Sequence, residues 1–233
     1  ATLMWANNET GVIQPVQAWG AWSQSHNVPF HLECGLLLGK VPVSFTRSCA
    51  TSLALSAHKF GGPKGIGALV LRAGTEVESL WQGGGQEYGL RPGTQGTALI
   101  AGMGRAALLC QTEGGMEKLR PLKHELAEYL RSIHPVQIVG DGAPALPNTL
   151  AVAVEGITSK RLCEAMARRG VFMGAGSACH AEKDTPSMVL QAMGWNDDLA
   201  LNVIRISFGP DFAEPQLRKL KETLEGCIKE CRV

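Results

Sequence analysis

Short apolar runs alternate with glycine-rich turns and helical stretches through about residue 110, and this alternation restricts the fold most. Strand-like runs occur at 28–32, 52–56 and 67–71. Strands separated by helical segments favour an α/β domain with a mainly parallel sheet, because parallel strands need long crossover connections. Residues 96–132 are rich in Ala, Leu, Glu and Lys, which predicts one or two long helices interrupted at Gly114-Gly115.

A second, smaller α+β unit is predicted after these helices, so the expected domains are 1–110 and 111–233. In the final helix, apolar residues recur every three or four positions and therefore share one face. No His or acidic residue joins the two cysteines on this face, which favours core lining over a metal pair. The face consists of Leu217, Leu220, Leu224, Cys227, Ile228 and Cys231. Further elements are predicted as strands at 136–139, 148–154 and 203–208 and as helices at 158–169 and 186–193.

Composition excludes several classes of function. The chain carries 22 Lys and Arg against 21 Asp and Glu, a balance without the basic surface that nonspecific nucleic-acid binding needs. Its longest apolar stretches, such as 68–71, are too short to span a membrane, and no signal peptide can be read at Ala1. Seven scattered cysteines, an odd number, indicate reduced thiols and predict a cytoplasmic setting, with mitochondria or the nucleus left open.

The run Ser56-Ala57-His58-Lys59 leads from a predicted strand straight into a Gly-Pro turn. In α/β folds, ligands bind at the carboxyl ends of strands. A lysine beside apolar residues there can become a nucleophilic amine that forms a Schiff base, since desolvation lowers its pKa. A plain surface lysine in a turn explains the spacing equally well.

Cys179 lies in Gly176-Ser177-Ala178-Cys179-His180, where small neighbours provide little packing around the sulfur. This context favours an exposed, ionisable thiol over a core cysteine. A zinc site built from Cys179 and His180 is disfavoured, because no second ligand pair stands at a suitable spacing.

Two further features suit an anionic ligand. The run Gly83–Thr94 combines glycines with Arg91 and Thr94, residue types suited to a phosphate or a carboxylate, although such loops also form plain turns. Arg205 interrupts an apolar strand, and a buried arginine needs a partner. That partner is a carboxylate either of the protein or of a substrate.

Taken together, these motifs resemble those of the cysteine desulfurases and the related selenocysteine lyases, pyridoxal-phosphate enzymes of the class V aminotransferase group. The resemblance runs nearly from end to end and keeps the order and spacing of the motifs. It implies the fold type I architecture, here as part of a large cofactor-binding domain followed by a small domain. The motifs are Ala6–Pro15, Ser56–Lys59, Gly83–Thr94, Gly176–Cys179 and Arg205.

The resemblance also implies roles in binding pyridoxal 5'-phosphate. Lys59 would hold the cofactor covalently and shuttle a proton, and Ser56 and His58 would bind its phosphate. Glu33 stands where the family has an Asp under the ring nitrogen. Thr94 would reach the phosphate of the neighbouring subunit in a homodimer.

Three residues would act on the substrate, L-cysteine or L-selenocysteine, if the resemblance holds. Asn8 would hold the cofactor ring or the substrate, and Arg205 would clamp the substrate carboxylate. Cys179 would take the sulfur as a persulfide, leave alanine, and pass the sulfur or selenium to an acceptor protein. No metal is expected.

The chain also departs from the family pattern. An N-terminal segment with a phosphate-binding loop and a ring-stacking His is expected before Ala1 in the family. Glu33 is longer by one methylene than the usual Asp, and Leu36 replaces a hydrogen-bonding Gln. We therefore expect weak or no binding of pyridoxal phosphate by the isolated chain. Two alternatives remain: a catalytically impaired binding or scaffold protein, and a different class V aminotransferase or epimerase that does not need the loop thiol.

Overall fold

The computed structural model describes residues 1–112, 116–175 and 185–232. These residues divide into two compact units. The first unit contains Ala1–Trp5 and Gln14–Gly115, and the second contains Ala6–Ile13 and Met116–Val233. The sequence did not predict that Ala6–Ile13 belongs with the second unit. The domain boundary at residues 110 and 111 stays a prediction.

The first unit contains a four-stranded sheet in the order β1 (Thr2–Met4), β2 (His31–Glu33), β3 (Ser52–Ser56) and β4 (Gly67–Leu71). The first three strands are parallel, and β4 pairs with β3 in the antiparallel direction. The short connection 57–66 explains this direction, because a parallel partner requires a crossover of a dozen or more residues. The predicted α/β class with a mainly parallel sheet is confirmed.

Three helices accompany this sheet: α1 (Val16–Ser25), α2 (Phe45–Ser48) and α3 (Thr97–Thr112). The contact of α1 with the end of α2 depends on a glycine. A Cβ atom at Gly20 would lie only 1.9 Å from the carbonyl oxygen of Ser48. Only glycine therefore permits this approach of one backbone to the other.

The second unit is built on an antiparallel sheet in the order β5, β6, β8, β7. Every residue of β6 is buried, so apolar helices cover both faces of the central strand. Leu150, Val152 and Val154 point into one cluster, whereas Ala151 and Ala153 point into another. This two-sided core follows from the alternation of side chains along a strand. The strands are β5 (Val136–Ile138), β6 (Thr149–Val154), β7 (Gly174–Ala175) and β8 (Val203–Ser207).

The helices of the second unit include α8 (Glu214–Cys231), whose six buried residues are those of the predicted apolar face. The predicted core position of Cys227 and Cys231 is therefore confirmed. No helix among the described residues has the length and apolarity required to cross a membrane. The remaining helices are α4 (Arg120–Ile133), α5 (Ser159–Ala167), α6 (Met188–Ala192) and α7 (Asp197–Leu201).

Candidate functional site

Lys59 lies in a tight turn at the carboxyl end of β3. The strand ends at Ser56 and continues into a 3-10 turn, Ala57–Lys59, in which Ala57 is buried and His58 and Lys59 are exposed. The amides of Phe60 and Gly62 both donate to the carbonyl of Ala57, at 3.1 and 2.9 Å. The buried alanine thus anchors the turn while the imidazole and the amine project from it.

Glu33 is brought close to Lys59 through the backbone of Gly35. Glu33 ends β2, the parallel neighbour of β3, and its Oε1 accepts a hydrogen bond of 2.8 Å from the amide of Gly35. A Cβ atom added at Gly35 would lie 2.5 Å from this Oε1 and 3.6 Å from Cγ of Lys59. The two sequence-predicted residues therefore flank one glycine at the carboxyl edge of the sheet, where α/β folds bind ligands.

The remaining residues that were predicted around the cofactor are less closely joined. Ser56, the last residue of β3, is half-buried, and Leu36 is half-buried as well. Thr94 is exposed in the loop before α3. Among the described residues, no hydrogen bond joins Thr94 to Ser56, His58 or Lys59. The structure thus groups Lys59 with Glu33 and leaves Thr94 apart.

The glycine-rich run that contains Thr94 forms hydrogen bonds mainly within itself. The amide of Gly93 donates to Oε1 of Gln86 at 3.1 Å, and Arg91 donates to the carbonyl of Pro92 at 3.0 Å. Glu87 and Tyr88 both have positive φ angles, of 51° and 58°, and the Tyr88 side chain is 98% exposed. Positive φ angles are unfavourable for residues other than glycine. Two consecutive non-glycine residues with such angles therefore store backbone strain in this exposed loop.

In the second unit, Asn7 organises the turn that carries Asn8. Its Oδ1 accepts from the amides of Glu9 and Thr10, both at 2.9 Å, and from the hydroxyl of Thr10 at 3.2 Å. This arrangement is an Asx turn, which the sequence reasoning missed. An Asn followed by Thr three positions later and then Gly11 was the available signal.

Arg205 binds this turn through the main chain. Its Nη1 donates to the carbonyl oxygen of Asn8 at 2.6 Å. Gly174 in β7 pairs with Arg205 in β8, and the guanidinium lies over this glycine. A Cβ atom added at Gly174 would lie 3.3 Å from Nη2 of Arg205. Arg205 is half-buried, and among the described residues it forms no ion pair with a carboxylate. The guanidinium therefore keeps further N–H donors for an anionic ligand.

Glu9 and Ser187 form a second link in the same unit, which the sequence reasoning also missed. The hydroxyl of Ser187 donates to Oε2 of Glu9 in a short hydrogen bond. The same hydroxyl caps α6 by accepting from the amides of Val189 and Leu190, at 3.2 and 3.3 Å. Ser187 at the start of an apolar run is a helix-capping signal that the sequence displays.

Three of the described cysteines have raised pKa values. Cys179 and its neighbour His180 lie outside the described residues. Burial, with a smaller contribution from Glu33, raises the pKa of Cys34 to about 12, and burial raises that of Cys163 to about 11. The pKa of Cys227 is also raised, mainly by burial. These three thiols stay protonated near neutral pH and are poor nucleophiles.

The described fold is that of a known family of proteins. The chain belongs to the aminotransferase class-V family, which it matches over residues 1–220. Within that family its relatives are cysteine desulfurases. For example, the cysteine desulfurase IscS of Neisseria meningitidis is 37% identical over 235 residues, which cover 99% of this chain and 58% of the relative. The family predicted from the motifs is thereby confirmed.

Solved structures of the family resemble the present fold. A NifS-like protein from Rickettsia africae ESF-5 has a TM-score of 0.88 and 25% identity, and the match covers 98% of this chain and 61% of that one. The structure described as SspA in complex with cysteine has a TM-score of 0.73 and 33% identity, with coverage of 90% and 58%. The chain thus spans about three fifths of the length of the relatives it matches.

Proposed function

We propose that this chain contains the lysine, carboxylate and thiol of a cysteine desulfurase that uses pyridoxal 5'-phosphate. The observation that supports this proposal most is the placement of Lys59 and Glu33 on either side of Gly35, at the carboxyl edge of the first sheet. An exposed amine, a hydroxyl and an imidazole at the end of β3, with a carboxylate at the end of the neighbouring β2, suit the aldehyde, phosphate and ring nitrogen of this cofactor.

The residues of the first unit would hold the cofactor. Lys59 would bind it covalently and move a proton to or from the substrate carbon, and Glu33 would keep a proton on the ring nitrogen. Ser56 and His58 would bind the phosphate. Thr94 would bind the phosphate of a second subunit in a homodimer, which agrees with its exposed position apart from the other residues. Bound pyridoxal phosphate supplies an electron sink that makes the carbon–sulfur bond of cysteine cleavable.

The residues of the second unit would hold the substrate. The guanidinium of Arg205, with donors left over after its bond to the Asn8 carbonyl, would bind the amino-acid carboxylate. Asn8 would hold the cofactor ring or the substrate. Cys179 would accept the sulfur as a persulfide, leave alanine, and pass the sulfur to an acceptor protein. The seven scattered cysteines of the chain support a cytoplasmic setting for this transfer. L-Cysteine is the proposed substrate, because one neighbour was solved with cysteine, and L-selenocysteine is the alternative.

A second candidate, a non-catalytic scaffold, is favoured by one contact. The Glu33 carboxylate is turned back onto the amide of its own strand end, at Gly35. A carboxylate that already accepts this hydrogen bond would hold a proton on the ring nitrogen less well. Leu36 adds an apolar group nearby in sequence. The same fold would then bind a partner protein without turnover.

Reconstitution with pyridoxal phosphate tests the two candidates. The enzyme predicts a visible absorption band that Lys59→Ala abolishes and Lys64→Ala keeps, since Lys64 is an equally exposed lysine in the same turn region. It also predicts alanine from L-cysteine, and sulfide when an added thiol reduces the Cys179 persulfide and is itself oxidised to a disulfide, with turnover lost in Cys179→Ser. A band with full turnover in Cys179→Ser would indicate another class V reaction. No band at any cofactor concentration would contradict the enzyme and support the scaffold.

A further inference from the structure

A cavity of about 200 Å³ lies within the second unit. Helix α4 forms one wall, the segment 138–145 forms the other, and β6 contributes the floor. Thr10 and Thr149 add hydroxyl groups to the lining. We call this cavity the α4 cleft.

Basic side chains dominate the helical wall of the α4 cleft. Arg120, Lys123, His124 and Arg131 all line it, and their spacing along α4 places them on one face of the helix. The small side chain of Ala127 stands between them and leaves the space open. Asp141 is the acidic residue of the opposite wall. The cleft thus has an excess of positive charge.

The two arginines already have carboxylate partners. Nε and Nη2 of Arg120 bind the carboxylate of Glu117, both at 2.8 Å, and Nη1 donates to the carbonyl of Ala145 at 3.2 Å. Arg131 binds Glu128 and Asp141, the latter at 2.6 Å. The Asp141 carboxylate is therefore used by Arg131 and does not balance the rest of the cleft.

Lys123 differs from both arginines. Its Nζ donates to the carbonyl of Leu146 at 2.8 Å, and no carboxylate of the described residues forms an ion pair with it. Burial, and secondly the charge of Arg120, lower its pKa to about 8. An ammonium group has three donors, so two remain for a ligand in the cleft.

The opposite wall offers main-chain donors as well. The amides of Asp141 and Gly142 donate to no acceptor among the described residues, while the amide of Ala143 donates to Gly140 at 3.0 Å. Gly140 and Gly142 have φ angles of 68° and 77°, which L side chains rarely adopt. Free main-chain amides in a glycine-containing turn beside basic side chains are a common setting for phosphate groups.

We propose that the α4 cleft binds a small phosphate-bearing ligand, with Lys123 as its principal charged contact. The ligand would supply the negative charge that this half-buried ammonium group lacks. A phosphate is favoured over a carboxylate because it offers more oxygens and up to two charges to the several donors of both walls. This proposal is independent of the desulfurase reaction.

Phosphate titration of the whole chain without pyridoxal phosphate tests the proposal. We expect saturable amide shifts at His124, Gly140 and Gly142 in NMR spectra, with inorganic phosphate as the probe at constant ionic strength. Lys123→Met should weaken the affinity about tenfold or more, because a charge-assisted contact is lost. Lys123→Arg should retain binding, and Lys219→Met, an exposed lysine of α8, should change nothing. Glycerol phosphate in place of inorganic phosphate distinguishes a phosphate ester from the free ion.

Several outcomes would overturn the proposal. Shifts that chloride reproduces, that acetate produces with equal affinity, or that persist in Lys123→Met would each exclude a phosphate site at Lys123. A second measurement is needed in case Lys123→Met fails to fold. In the wild-type chain, phosphate should protect the Lys123 amine from acetylation by an activated ester at least threefold relative to Lys219, and equal labelling of both would contradict the site. Neither result changes the absorption band expected from pyridoxal phosphate at Lys59, so the phosphate site and the desulfurase proposal can fail separately.

Discussion

The two units differ in how completely they bury their apolar residues. In the second unit, β6 is buried along its whole length between two apolar clusters. More large apolar side chains are exposed in the first unit, including Trp81 at 63%, Leu108 at 56% and Leu69 at 53%, although Phe172 at 85% and Met188 at 72% are exposed in the second. Exposed apolar surface of this extent commonly marks a site of interaction. Both units therefore contain a buried core, and the first unit exposes more of its large apolar side chains than the second.

A matched pair of substitutions tests this comparison most strongly. Leu150→Ala, in the core of the second unit, should lower the free energy of unfolding by about 2–5 kcal/mol, since it removes a buried side chain and leaves a cavity. Leu69→Ala, on the exposed side of β4, should cost about 0.5 kcal/mol or less. Urea-induced unfolding followed by circular dichroism measures both. Equal losses would contradict the exposed position of Leu69 on β4.

A pair of glycines sharpens the comparison within the first unit. Gly20→Ala should destabilise the chain by about 1–3 kcal/mol, because the new Cβ would overlap the carbonyl of Ser48. Gly104→Ala lies in α3 with no atom near its Cβ position and should stabilise by about 0.5–1 kcal/mol. Thermal unfolding of both variants is the measurement. A neutral Gly20→Ala would mean that α1 does not pack closely against α2.

The Asn7 turn is the corresponding test in the second unit. Asn7→Ala removes the acceptor of three hydrogen bonds and should cost about 1 kcal/mol or somewhat more. Asn8→Ala should leave stability nearly unchanged, since Arg205 binds the main-chain carbonyl of Asn8 and not its side chain. Urea unfolding compares the two variants. A larger loss for Asn8→Ala would contradict the Asx turn.

The last expected effect depends on pH. The pKa of Lys123 is lowered to about 8 from its ordinary 10.5, so between these values the unfolded chain binds more protons than the folded one. The free energy of unfolding should therefore rise with pH across this window relative to Lys123→Met, in which the group is absent. Urea unfolding of both proteins at pH 7.5 and pH 10 measures the difference. A gap between them that stays constant would contradict a desolvated lysine.

Regular patterns allowed much of the fold to be predicted. The apolar face of α8 repeats over five turns, and the strands β3 and β4 have the predicted bounds because glycines and small residues delimit them. The strand β1 was missed because three residues give too little pattern. The antiparallel direction of β4 was missed because strand direction depends on the length of a connection and on the partner strand.

The candidate site could be predicted only in part. Lys59 and Arg205 were found because a charged residue at the end or centre of an apolar run stands out in the sequence. The contact of Ser187 with Glu9 joins residues far apart along the chain, and nothing local signals it. The hydrogen bond that Glu33 accepts from the amide of Gly35 also depends on a backbone path that the residue types do not specify.

The membership of Ala6–Ile13 in the second unit has a consequence for synthesis on the ribosome. The amide of Leu146 donates to the carbonyl of Gly11 at 2.8 Å, and Val12 forms a bridge with Ala145. These early residues must wait until the ribosome has produced the whole of 14–115 and the start of the following unit. At about 5–20 residues per second, synthesis up to Leu146 makes this delay last roughly 7 to 27 s. During it the nascent chain holds an unpaired segment, and a chaperone that shields this segment would be expected to raise the yield of folded protein.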